Sequence, residues 1–131
     1  MFLFQIDWNK KQAQVEGEMI EVASEVVLFS FQQDGERFRV ACAHGPDGSL
    51  GLCEASRGPW TRWCYGSESH RRRLVMPVPT VERLCREWGA AGAGQLACVL
   101  AVRYTGFACL SEVQRHLDEK KLSYTLVGDE A

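Results

Sequence analysis

Polar and apolar positions alternate through much of the first half of the chain. In Arg37-Phe38-Arg39-Val40-Ala41-Cys42 the leading apolar positions stand two apart, the period of a strand with one buried face. The run before it, Glu25 to Phe31, is β-branched and aromatic. Between them Asp34-Gly35 supplies the positive-φ residue that a tight hairpin wants. Gly45-Pro46-Asp47-Gly48 is a second turn, leading to Leu50 and Leu52. Arg57-Gly58-Pro59 breaks the chain again, and Trp60-Thr61-Arg62-Trp63-Cys64-Tyr65 then reads as an alternating strand. A polar loop from Gly66 to Ser69 precedes a strand over Arg71 to Met76. Met1 to Asp7 also reads as a strand, whereas Val15, Met19, Ile20 and Val22 fit both strand and helix periods.

The period changes after Pro77 and Pro79. Val81, Leu84, Cys85 and Trp88 fall at i, i+3, i+4 and i+7, a helical stripe with Thr80 as N-cap and Gly89 as its stop. Leu96 to Val102 is a continuous apolar run, read as a central strand covered on both faces. Ser111 and Gln114 have the spacing of a capping box, opening a helix that ends with Lys120 and Lys121. Ser123 to Val127 reads as a closing strand. With strands 96–103 and 123–127 as parallel neighbours, the helix between them is their crossover. The expected fold is α+β: a largely antiparallel sheet of five to seven strands, two helices on one face, and a C-terminal β-α-β unit. The 131 residues are expected to form a single domain.

Composition narrows the function classes without naming one. Apolar residues make up 46% of the chain and charged residues 24%, with a formal net charge of -2. These values exclude a disordered tail, a collagen-like fibre and a uniformly basic nucleic-acid coat. Leu96 to Val102 falls far short of the ~20 residues of a membrane-spanning helix. The amino end lacks the basic region of an export signal, so a cytoplasmic location is expected. Six cysteines, with no C-x-x-C pair, are then expected to be reduced, several as small core residues.

Charge is unevenly placed. Between Arg57 and Arg86 seven Arg stand against two Glu, a balance of +5; the other eight Lys+Arg against fifteen Asp+Glu leave −7. Trp60, Trp63 and Tyr65 interleave this stretch. Arg57, Trp60, Arg62, Trp63, Arg71, Arg72 and Arg73 are therefore the candidate binding residues. The plain reading is a solvated strand face with its Trp rings in the core. Arginine and aromatic side chains also anchor protein interfaces and contact phosphates and bases. A protein partner is preferred, because the rest of the chain repels a polyanion; a nucleic acid bound through the local patch is the alternative. Consecutive strand residues alternate sides, so at most two of Arg71, Arg72 and Arg73 share a surface.

Catalytic signals are sparse. Cys109 precedes a helix, where the dipole lowers a thiol pKa, and its base would be His44 or His70; His116 lies too far along the same helix. A buried packing residue is the favoured reading, and no catalytic residue is assigned. Gly89 to Gly94 mimics a phosphate loop, but it follows a helix and is expected to enter a strand. No His or Cys spacing suggests a metal, and no cofactor is expected. Glu16, Glu18 and Glu21 read as a solvated face. The expected function is a non-catalytic domain acting by protein–protein contact, of inhibitor, immunity or adaptor type. The opposing class is a small enzyme with Cys109 as nucleophile.

Overall fold

Among the described residues, five antiparallel strands, paired in chain order, form one sheet. They are β1 (Glu25–Gln33), β2 (Glu36–His44), β3 (Leu50–Arg57), β4 (Ser69–Met76) and β5 (Thr125–Gly128). The computed structural model describes residues 25–128. The strand expected at Met1 to Asp7, the ambiguous Val15 to Val22 and the carboxylates of Glu16, Glu18 and Glu21 lie outside the described residues. Asp34 and Gly35 take φ of 53° and 84°, which makes the β1–β2 connection a two-residue turn with both central residues left-handed. The register of β1 shifts between Val27 and Phe29, and the Leu28 carbonyl accepts a bond from Thr105 Oγ1 at 2.9 Å.

Helices α1 (Pro59–Tyr65), α2 (Val78–Trp88), α3 (Ala93–Arg103) and α4 (Cys109–Glu119) complete the described chain, four where two were expected. Val40, Cys42, Leu50, Leu52, Leu74 and Met76 form the buried sheet face, and α2, α3 and α4 cover it. Their contributions include Val81 and Leu84, then Leu96, Ala97 and Leu100, then Leu110, Val113 and Leu117. The stripe on α2 and the stop at Gly89 (φ 71°) agree with the sequence reading.

Three expectations need correction. Trp60–Tyr65 is helix α1 and not a strand. Its first-turn donors are satisfied from a distant strand: Glu36 Oε1 accepts the Trp60 N–H at 2.8 Å and the Thr61 N–H at 3.4 Å. Thr61 Oγ1 donates to Glu36 Oε2 at 2.5 Å. A two-residue period cannot reveal a cap supplied 24 residues away.

Leu96–Val102 is likewise helical. Only Leu96, Ala97 and Leu100 are buried, while Cys98 and Val102 face outward. That is a one-sided stripe in a run of strong helix formers such as Ala and Leu, and not a strand covered twice. The C-terminal β-α-β unit therefore does not form, and β5 returns antiparallel to β4. The glycines after α2 connect two helices.

The helix starts also move. α2 begins at Val78 with Pro77 as N-cap, and Thr80 Oγ1 donates instead to the Ser123 carbonyl at 2.6 Å. α4 begins at Cys109, so Ser111 is inside the helix and makes no capping box. At the far end α4 stops at Glu119, and Lys121 turns the chain with φ 59°.

Candidate binding surface

The strand register assigns each arginine to a face. Arg37 pairs with Arg57 across β2 and β3, and Arg57 with Ser69 across β3 and β4. Ala55 lies between Arg39 and Arg71, and Cys53 between Ala41 and Arg73. Because side chains alternate, Arg37, Arg39, Arg57, Arg71 and Arg73 all project from the face opposite the helices. Small residues fill the strand positions between them: Ala55 and Cys53, both half-buried, and Ala41, which is buried. Arg37, Arg57, Arg71 and Arg73 are exposed, and among the described residues none of these four makes an ion pair. Arg39 is engaged by Glu25 at 2.7 Å.

Three hollows run along this face. One of about 630 Å³ holds Gly58, Pro59 and Arg62 beside Arg37 and Arg57, with Glu68 at its wall; Arg62 engages that carboxylate at 3.2 Å. A second, of about 180 Å³, lies over Ala55 between Arg37, Arg57 and Arg71. A third, of about 310 Å³, lies beside Arg71 and Arg73 and reaches Val127 and Gly128 of the edge strand.

The candidate residues named from sequence thus divide. Arg57, Arg71 and Arg73 share the open face. Arg72 points the other way, donating from Nε to Glu54 Oε2 at 3.0 Å and from Nη2 to Ser111 Oγ at 2.9 Å. It ties β3 and β4 to α4 and is unavailable for binding. Trp60 stacks on Phe31 with ring centroids 5.5 Å apart, while Trp63 stands 86% exposed on α1. Tyr65 stacks on His70 at 3.8 Å. Arg37 and Arg39 were outside the basic stretch and were missed as site residues. Their alternation was visible, but only the register brings β2 beside β3 with these side chains on the same side.

Cys109 opens α4 yet is fully buried. Burial first, and then the Glu54 and Glu112 carboxylates, push its thiol up to about 11, the reverse of helix-dipole activation. His44 stands opposite Leu50 and His70 opposite Ser56. Those positions are six residues apart along β3, about 20 Å at strand rise, so the two imidazoles belong to opposite ends of the sheet. Among the described residues no three His, Cys, Asp or Glu come together as a metal site, and no helix is long and apolar enough to cross a membrane. Compared with known protein families, curated proteins and solved structures, the chain matches none.

Proposed function

We propose that this chain is a non-catalytic binding domain whose arginine-bearing sheet face docks an acidic surface of a protein partner. One observation carries the reading: Arg37, Arg57, Arg71 and Arg73 are exposed on one face of the sheet with no ion pair among the described residues. Guanidinium groups make forked bonds to carboxylates, and small residues between them let a partner's side chains approach the sheet. Single-stranded nucleic acid is less well served. Base binding needs aromatic platforms beside the cations; the strand positions between these arginines are Ala and Cys, and the His70 ring at the hollow is already stacked on Tyr65. The buried, weakly acidic thiol of Cys109 supports binding over nucleophilic catalysis. A cytoplasmic location belongs to the same proposal, and titration of six thiols in protein purified without reductant is its test.

The test is fluorescence anisotropy with a labelled Asp/Glu-rich peptide and with single-stranded and duplex oligonucleotides, at 50 and 200 mM salt. The peptide is expected to bind, and Arg57→Ala with Arg71→Ala and Arg73→Ala to abolish it. Arg83→Ala with Arg86→Ala, on α2, is expected to leave it unchanged. Tighter, steeply salt-dependent binding of an oligonucleotide would overturn the proposal.

A further inference from the structure

Resting on that docking reading and deepening it, we propose that the hollow over Ala55 binds a dianionic phosphate monoester carried by a phosphorylated side chain of the partner. Ala55 has Arg39 opposite it on β2 and Arg71 opposite it on β4. Arg57 is two residues further along the same strand, and Arg37 is opposite Arg57. Direct cross-strand neighbours on one face lie about 4.5–5.5 Å apart and diagonal ones about 7–8 Å. Arg37, Arg57 and Arg71 line a hollow at Ala55, together with Ser56 and His70. Its volume is about 180 Å³, and Ser69 adds a hydroxyl at the rim.

Charge gives the site its chemistry. Like charges directly opposite one another in a sheet destabilise it, and Arg37 and Arg57 stand in that relation without a counter-ion among the described residues. An anion between them removes the repulsion. Arg39 already holds Glu25, which leaves Arg37, Arg57 and Arg71 for the hollow. A carboxylate offers one charge and two oxygens to these three forks. A phosphate monoester offers about −1.5 to −2 and three strong acceptors, one for each guanidinium. A phosphodiester carries a single charge, less than a phosphate monoester offers these three guanidinium groups.

Four labelled probes test the site by anisotropy: an acidic peptide with one phosphoserine, its serine and glutamate counterparts, and a single-stranded oligonucleotide. The phosphopeptide is expected to bind at least tenfold tighter than the serine peptide, with glutamate failing to restore the gain. Arg57→Gln is expected to level phosphorylated and unphosphorylated peptides. Arg73→Gln, outside the hollow, is expected to weaken both while keeping their ratio. Inorganic phosphate at fixed ionic strength is expected to raise the melting temperature of the wild type and not of Arg57→Gln. That thermal readout, with circular dichroism, separates loss of the site from loss of the fold. Equal binding of phosphoserine and serine peptides overturns the phosphate site and leaves the docking reading standing. Failure of every peptide to bind overturns the docking reading itself. Free phosphate displacing the phosphopeptide at comparable concentration overturns the assignment to a protein-borne group in favour of a small phosphate ligand. Preference for the oligonucleotide overturns both proposals.

Discussion

At the scale of single residues, three consecutive arginines have two different roles. Arg72 neutralises Glu54, whose side chain is only 6% exposed, and its removal strands a buried carboxylate. Arg72→Ala is expected to cost about 3–5 kcal/mol, whereas Arg71→Ala and Arg73→Ala stay within about 0.5 kcal/mol because their side chains reach solvent. Urea denaturation of the three variants checks the contrast; comparable losses at all three would contradict the assignment of faces. The thiols divide in a similar way. Cys64 and Cys98 are exposed, whereas Cys42 and Cys109 are buried. Burial pushes the Cys42 thiol up to about 12 and the Cys109 thiol up to about 11. Iodoacetamide is therefore expected to label Cys64 and Cys98 first and the buried pair only on unfolding. A raised folded-state pKa contributes stability in full below the unfolded value of about 8.5, and loses it as pH rises toward 11 and 12. Urea midpoints in reductant are thus expected to fall from pH 8.5 to 11, and to fall less steeply in the Cys42→Ala/Cys109→Ala double variant.

Among the elements, α1 and α3 depart furthest from the local pattern, and each departure has a test. The start of α1 is held by Glu36 and by Gly58, whose φ of 136° suits glycine. A Cβ at Gly58 would overlap Glu36 Oε1 and lie 2.6 Å from the Gly35 carbonyl oxygen. Gly58→Ala is expected to cost about 2–4 kcal/mol through strain and overpacking. Glu36→Ala is expected to cost about 2 kcal/mol through the lost cap and its unsatisfied donors. Chemical denaturation measures both. For α3, Val102 is 85% exposed and Leu100 is fully buried. Val102→Lys is expected to change stability by less than about 0.5 kcal/mol, while Leu100→Ala costs about 2–5 kcal/mol. In a doubly covered strand both substitutions would be severe, so a large loss at Val102 would count against the helix.

Across the whole molecule, what the sequence determined by itself is what short-range sterics and burial period control. The β1–β2 turn at Asp34-Gly35, the alternation of β2, the stripe of α2 with its stop at Gly89, and the α+β class were all legible, because each is a preference of adjacent residues. So was the division of Arg71, Arg72 and Arg73 between two faces, since side-chain alternation is a property of the strand alone. Only the tertiary structure decided the rest. Leu96 to Val102 carries apolar residues on every side, so its period is silent, and packing in the core decided that Leu96, Ala97 and Leu100 are the buried side. Trp60 to Tyr65 became a helix because Glu36, far away in sequence, supplied acceptors for its first turn. The arginine face combines Arg37 and Arg39 of β2 with Arg57, Arg71 and Arg73 of β3 and β4. Its existence depends on pairing register: a slip of one residue between strands would exchange faces and disperse the charge. Local sequence encodes which residues alternate, and long-range pairing decides which of them meet.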